Sequence, residues 1–419
     1  MFGWVALLSV AAPLRLEEAV ELAVARAPEV AMALAERSVA EARRDQADSA
    51  YLPRLEMSAT YFAKTYKNII EPPSLPAGIQ VVFDEVDDYQ HFQGQLKVGW
   101  RAIDFSRSHR VDAANHKARA QDAKVAEVRT GLAFRTRATF FAALFSKDVL
   151  TLSEQSLSVA EKDLRRAELN AEVGNGSALA VAQVRIRVAS LRAQAAKAKN
   201  ELLRHTEQLA LLTGRNGPIE PEGDLASYSD GAVPEGATHP QLLRLELSAL
   251  ALESVAESHR MTLIPSLTLF ATADLQYPRG LKVELGEFAS VGAQLSWPIF
   301  DGFLREASAS EAQARAAQAR AGRSAAEDEL VRKRVDLDAR ARTARAEKEG
   351  AETRVTESEL YLKVAKAAVE AGTGTDLEVR TAELGLDQAK LSVRQAVFEL
   401  ALVRAERLFV LGLEGENRR

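Results

Sequence analysis

Residues 266–275 read Ser-Leu-Thr-Leu-Phe-Ala-Thr-Ala-Asp-Leu, and residues 289–297 read Ala-Ser-Val-Gly-Ala-Gln-Leu-Ser-Trp. In the first stretch the odd positions Leu267, Leu269, Ala271, Ala273 and Leu275 are apolar, and the even positions are polar except Phe270. In the second, Ala289, Val291, Ala293, Leu295 and Trp297 alternate with Ser290, Gly292, Gln294 and Ser296. A period of two puts one kind of side chain on each face of a strand. Both stretches have the length of about ten residues with which a tilted strand crosses a bilayer.

The pattern occurs twice. Phe92, Gly94, Leu96, Val98 and Trp100 alternate with His91, Gln93, Gln95, Lys97 and Gly99, and Leu55–Tyr66 alternates less cleanly. Pro28 and Pro53 recur 212 positions on as Pro240 and Pro265. Trp100 and Asp104 recur 197 positions on as Trp297 and Asp301, and Gly174 and Gly214 recur 198 on as Gly372 and Gly412. The fall from 212 to 197 is a deletion of 15 residues between Pro265 and Trp297. Internal repetition defines the structural unit, so two repeats are expected, residues 13–214 and 240–413, joined by a Gly- and Pro-containing linker at 215–239 and followed by a tail at 414–419.

Each unit opens with a helical segment, Pro28–Tyr51 or Pro240–Leu263, which Pro53 or Pro265 ends by disfavouring the α region for the residue before it. Two strands follow, at about 55–66 and 91–100 in the first copy and 266–275 and 289–297 in the second. The loops between them contain Pro72, Pro73 and Pro76, or Pro278 and Gly280. Next come the proline-free stretches 104–172 and 301–370, each about 100 Å long if helical at ~1.5 Å per residue. After a Gly-rich turn, helices are expected to return over 177–213 and 375–411.

The return helices carry a 3-4 apolar seam. It reads Val181, Val184, Val188, Leu191, Ala195, Ala198, Leu202, His205, Leu209 and Leu212 in the first copy. In the second it reads Val379, Ala382, Leu386, Ala389, Val393, Ala396, Leu400, Val403, Arg407 and Val410. The opening and return helices together match the outgoing helix in length, so they are expected to stack end to end beside it.

Composition narrows the function. The 419 residues carry 54 Lys+Arg against 59 Asp+Glu, a net charge of −5, which argues against a nucleic-acid partner. Aromatics are 6%, low for a globular core, and Ala, Leu, Glu, Arg and Gln dominate the long segments, as in coiled coils. There is no Cys, so disulfides, thiolate chemistry and a lipidated Cys within this chain are excluded. The run Phe2–Ala12 is expected to be the remnant of a signal peptide, although no Lys or Arg precedes it; the other reading is the start of a first helix. No stretch reaches the ~18–20 apolar residues of a membrane-spanning helix.

Four strands cannot close a barrel, and an open sheet edge is not tolerated in lipid. Closure by several chains is therefore expected, with a helical tube continuing from one end of the shared barrel. The chain resembles the TolC-type outer-membrane efflux proteins. Leu14-Arg-Leu-Glu-Glu-Ala-Val-Glu-Leu-Ala23 resembles the family's opening helix, and Leu295-Ser-Trp-Pro-Ile-Phe-Asp-Gly-Phe303 its strand-to-helix junction. Val173-Gly174 and Ala371-Gly372 resemble its helix-tip turns. The resemblance implies a membrane α+β fold, a homotrimer sharing a 12-stranded β-barrel continued by an α-helical barrel in the periplasm. It also implies a passive exit duct in the outer-membrane lipid of a Gram-negative bacterium, working with a periplasmic adaptor and an inner-membrane transporter in tripartite efflux or type I secretion. The linker would lie near the equator of the helical tube.

The resemblance also implies that the tip turns dock the adaptor: Val173, Gly174, Gly176 and Ser177, and Ala371, Gly372, Gly374 and Thr375. The same residues have a structural use, with glycine supplying positive φ at a helix end and Ser177 or Thr375 capping the next helix. Glu378 stands where the family often has an acidic residue at its periplasmic aperture, yet Thr375-Asp376-Leu377-Glu378 also spells a capping box. The family's next acidic position is Thr381 here, and the first-copy equivalents are Ala180 and Gln183. Trp100 and Trp297 suit an interfacial belt or packing at the barrel base.

The six histidines, at 91, 109, 116, 205, 239 and 259, show no metal-ligand spacing, and His205 reads as a polar seam residue. No nucleophile elbow, phosphate loop or metal signature occurs, so neither an enzyme nor a cofactor is expected. The alternative class is a periplasmic or extracellular coiled-coil structural protein, which has no use for alternating strands. An outlet for secreted proteins is a further alternative.

Overall fold

A computed structural model describes residues 12–65, 88–173, 177–215, 219–229, 238–279 and 283–413. The expected signal segment, apart from Ala12, and the tail at 414–419 lie outside them, as does most of the first strand loop. The first copy contains β1 (Ala12–Leu14), α1 (Leu16–Arg26), α2 (Pro28–Asp48), β2 (Arg54–Ala63), β3 (Gln90–Ile103), α3 (Phe105–Glu172) and α4 (Ala178–Thr213). After β4 (Ile219–Pro221) and α5 (Leu225–Ser229), the second contains α6 (Pro240–Met261), β5 (Ser266–Tyr277), β6 (Gly286–Ser296), α7 (Leu304–Glu370) and α8 (Asp376–Val410). The chain forms two compact units.

The unit of Arg37–Gln121 and Leu245–Gly322 holds a four-stranded antiparallel sheet in the order β2-β3-β5-β6. Both hairpins share one register. Arg54 pairs with Gly99, and Ser266, 212 positions on from Arg54, pairs with Ser296, which is 197 on from Gly99. The strands are longer than the alternation alone marks: β3 continues to Ile103 through an irregularity between Arg101 and Ile103, and β5 to Tyr277. Strand β2 ends at Ala63 rather than Tyr66, and Trp297 lies one residue beyond β6. Gly292 explains the misplaced Phe270: the ring lies over it, and a Cβ on Gly292 would stand 2.6 Å from Phe270 Cζ.

Helix α7 starts at Leu304 instead of Asp301. Gly302 and Phe303 have φ of 69° and 65°, so neither continues a right-handed helix. The repeat spacing rises from 197 at Asp301 to 198 at Gly372, and Gly302 accounts for the extra residue. In the first copy Asp104 leads straight into α3, with its Oδ1 accepting the Ser106 amide at 3.0 Å.

The other unit, Met1–Glu36, Asp122–Arg244 and Arg323–Arg419, is helical. Its largest core cluster joins Leu14, Leu16, Ala19, Phe140, Phe141, Leu144, Leu209, Ile219, Leu225, Val397, Ala401 and Ala405. The linker is therefore more structured than its Gly and Pro content indicates. Strand β4 pairs parallel with β1, and α5 places Leu225 in this core. Ala12, assigned from sequence to the signal remnant, is the first residue of β1.

The α4 seam holds from Val181 to Ala198 and then shifts. Thr206, Leu209 and Thr213 are buried, whereas Leu202, His205 and Leu212 are half-buried. Threonine is tolerated because its hydroxyl donates to the carbonyl four residues back, Thr206 to Leu202 and Thr213 to Leu209. In α8, Arg407 leaves the seam and pairs with Asp338. Helix ends lie close in both copies: Arg26, at the end of α1, donates to the Gly214 carbonyl at 2.7 Å, and a Cβ on Gly412 would stand 2.6 Å from Pro240 Cδ.

Candidate functional site

The sheet separates its residues by face, with Phe270 and Phe288 the apolar exceptions on the polar side and Glu287 the charged one on the apolar side. Leu55, Val98, Ala271 and Val291 are successive cross-strand partners, as are Met57, Leu96, Ala273 and Ala289. Trp100, Leu269 and Ala293 continue the band. The other face carries the rows Glu56, Lys97, Thr272, Ser290 and Ser58, Gln95, Asp274, Phe288. On it, Gln95 Nε2 donates to Asp274 Oδ1 at 2.7 Å, and Thr272 Oγ1 to Asp274 Oδ2 at 2.9 Å. The apolar face is bare: Met57 is 82% exposed and Val291 86%. A water-soluble sheet covers such a face. Among the described residues, the edges β2 and β6 have no further strand partner.

At one end of the sheet the two copies make the same contact. Trp100 Nε1 donates to the Tyr51 carbonyl at 2.9 Å, and Trp297 Nε1 to the Leu263 carbonyl at 3.1 Å. Each acceptor lies two residues before Pro53 or Pro265, so the indole ties the strand end to the end of the preceding helix. Beside Trp297, Ile299, Phe300 and Phe303 are also exposed, with Phe300 and Phe303 edge to face at 5.6 Å. Sequence reasoning singled out the tryptophans and passed over these three, although Pro298 and Gly302, which interrupt strand and helix there, were a signal that apolar side chains fall outside a packed element.

At the helical tips, α7 ends in a Schellman turn. Thr373 N donates to the Ala368 carbonyl at 2.9 Å and Gly372 N to the Val369 carbonyl at 3.0 Å. Gly372 has φ 74° and open space around it, so backbone conformation alone selects glycine there. Gly374 serves differently: a Cβ would stand 2.9 Å from Ala368 Cβ and 3.0 Å from Val369 N. Thr375 Oγ1 accepts the Glu378 amide at 3.3 Å, and Glu378 Oε2 accepts the Thr375 amide at 2.9 Å, completing the capping box.

In the first tip, Ser177 Oγ accepts the Ala180 amide at 3.1 Å, and Val173 is 71% exposed. Gly174 and Gly176 lie outside the described residues. Behind the tips the two hairpins are bridged. Arg187 pairs with Glu383 at 2.9 Å, Arg380 donates to Gln183 at 3.1 Å, and Ser156 donates to Asp387 at 2.8 Å. Burial, followed by the charge of Glu383, pushes the Asp163 carboxyl above its usual range. Thr381 is engaged within its own helix, donating to the Leu377 carbonyl.

No group of three or more His, Cys, Asp or Glu residues arranged to hold a metal occurs among the described residues. His205 is half-buried beside Arg204 and Glu201, and burial lowers its pKa. No described helix is long and apolar enough to cross a membrane.

Long helices and an antiparallel four-stranded β-sheet whose apolar face is bare are the features that the outer-membrane efflux channels combine. The family model described as "Outer membrane efflux protein" matches residues 19–215 and 236–406, and the chain belongs to that family. No curated protein matches the sequence. Solved structures share the fold at low identity. The CusC channel is 17% identical with a TM-score of 0.80, covering 95% of this chain and 92% of that one. VceC from Vibrio cholerae is 18% identical with a TM-score of 0.74, covering 95% and 96%. The CmeC outer membrane channel of Campylobacter jejuni is 16% identical with a TM-score of 0.77, covering 96% and 87%.

Proposed function

We propose that the chain is one protomer of a trimeric outer-membrane exit duct, three four-stranded sheets closing one 12-stranded barrel and the helices continuing it into the periplasm. The carrying observation is the sheet: an apolar face, bare from Leu55 to Leu295, between the edges β2 and β6, which have no further partner among the described residues. Lipid covers such a face, and edge pairing between chains removes the open edges. A coiled-coil structural protein has no need of either feature. The two copies are the halves of a protomer, because neither hairpin closes a barrel.

The duct conducts passively, with energy supplied by an inner-membrane transporter joined through a periplasmic adaptor. The adaptor docks on the tip turns at Val173–Ser177 and Ala371–Thr375. Glu378 first of all caps α8, and a contribution to the aperture is a separate role for the same carboxylate. The test uses the absence of native cysteine. Single cysteines on the β2 and β6 edges should give oxidative cross-links up to a trimer in outer-membrane fractions. A monodisperse, water-soluble periplasmic monomer would overturn the proposal.

A further inference from the structure

At the end of the sheet that leads into α3, four arginines and one carboxylate meet. A cleft of about 250 Å³ is lined by Ala50, Leu52, Arg54, Gly99, Arg101, Asp104, Arg107, Arg110 and Thr268. Asp104 is the one acidic lining residue, and its bonds are already made. Oδ1 accepts the Ser106 amide and hydroxyl at 3.0 and 2.6 Å, and Oδ2 accepts from Arg101 at 3.2 Å and from Arg110 at 2.7 Å.

Arg107 is the telling member. It is 4% exposed, its NH2 group donates to the Arg101 carbonyl, and its guanidinium lies 4.8 Å from the centre of the Tyr51 ring. Its Nε has no hydrogen-bond partner, and among the described residues neither Arg107 nor Arg54 has an ion-pair partner. A buried guanidinium without a carboxylate is costly, and the geometry of Arg suits a bidentate oxyanion.

The second copy lacks the excess charge, although its matching arginine, Arg305, is also buried with Nε and one Nη outside any hydrogen bond. The positions matching Arg54, Arg101 and Arg110 are Ser266, Pro298 and Ser308, and Arg305, matching Arg107, is paired with Asp301 at 2.7 Å. The excess charge is thus an addition to one copy and not a demand of the shared junction. Arg54, Arg101 and Thr268 belong to the polar face by their alternation with Leu55, Trp100 and Leu269.

We infer that this cleft is an oxyanion-binding site in the lumen wall at the base of the barrel, taking phosphate or the phosphate or carboxylate group of a passing solute. Its place in the lumen rests on the duct proposed above. In a trimer the site recurs three times, and such a ring favours anions in the passage.

The test combines binding and conductance on the full-length protein. Inorganic phosphate and a sugar phosphate are titrated separately by calorimetry, and reversal potentials in KCl gradients are read in planar bilayers. Both phosphates are expected to bind competitively, and pores are expected to prefer chloride. The triple variant Arg54→Ser, Arg101→Gln, Arg110→Ser should weaken binding at least about tenfold, the loss of one or more charge-assisted bonds, and shift selectivity toward potassium. Asp274→Asn, elsewhere on the polar face, should leave phosphate binding intact.

Binding of inorganic phosphate alone would make the site one for the free ion, and binding of the sugar phosphate alone one for cargo; either supports the inference. Conducting pores with no phosphate binding and no change in the triple variant would overturn it. So would a triple variant that loses trimer stability but keeps its selectivity, since a neighbouring protomer's carboxylates would then be the counter-charge. Failure to form conducting pores would instead sink the duct proposal.

Discussion

Gly372 and Gly374 are two residues apart and are glycine for different reasons. At Gly372 the constraint is φ 74° in open space, so Gly372→Ala should destabilise the tip by about 1 kcal/mol through backbone strain alone. At Gly374 the backbone is compatible with a side chain but Ala368 is in the way, so Gly374→Ala must shift the turn. Thermal unfolding of the two variants separates these cases. Export assays add a second measure: a bulky residue at Gly372 is expected to impair export while trimers still form, and normal export would remove the docking role. Glu378 has a similar double character. Glu378→Gln keeps an acceptor for the Thr375 amide and should cost only a few tenths of a kcal/mol, while Glu378→Ala should cost about 1 kcal/mol. If conductance changes with Gln while stability does not, the carboxylate lines an aperture; if conductance follows stability, capping is its whole role.

At the scale of elements, the contact between the start of α6 and the end of α8 carries a pH response. His239 is 2% exposed, edge to face with Phe409 at 5.5 Å, and its Nδ1 accepts the Gln241 amide at 3.2 Å. Burial lowers its pKa; Glu127 opposes the shift, and Lys333 and Arg334 add to it. The unfolded chain then takes up the proton more readily than the folded one, so stability is full above the ordinary value of 6.5 and falls as pH drops through it. His239→Gln is expected to flatten that acid limb in urea titrations at pH 5 and 8, and an unchanged limb would assign the loss to other groups.

The same element scale shows what was legible beforehand. Strands, turns and the first half of the α4 seam follow from local rules: alternation, proline, glycine and 3-4 spacing. The contents of the linker do not, because β4 exists only by pairing with β1, some two hundred residues away, and α5 is too short to announce itself by periodicity. The late start of α7 was half legible: Gly302 marks the interruption, but nothing in Phe303 itself announces a φ of 65°. The capping box at Thr375 was fully readable. The arginine cleft was not, because Arg54 meets Arg101 and Arg107 only after β2 pairs with β3.

For the whole molecule, the proposed duct requires the two faces of the sheet to see different solvents. In a twelve-stranded closure lipid would lie against Leu55, Met57, Val291 and Leu295 and water against Glu56, Gln95, Asp274 and Gln294. Charge placed on either face reports which solvent it meets. Val291 is mid-strand, cross-strand from Ala271, and 86% exposed. Val291→Arg should cost about 2–4 kcal/mol if the site is near the bilayer midplane, and should reduce the amount of trimer recovered from outer membranes. Gln294→Arg, three residues on and on the opposite face, carries the same charge into the lumen, where only selectivity should move. Equal assembly of both variants would mean that water wets both faces, and the sheet would then be no membrane wall. Loss of both would point to the strand β6 edge, where an added arginine next to the neighbouring chain disturbs pairing whichever way it faces. Assembly lost with Val291→Arg and kept with Gln294→Arg is the one outcome that follows from a barrel with lipid outside and a channel within.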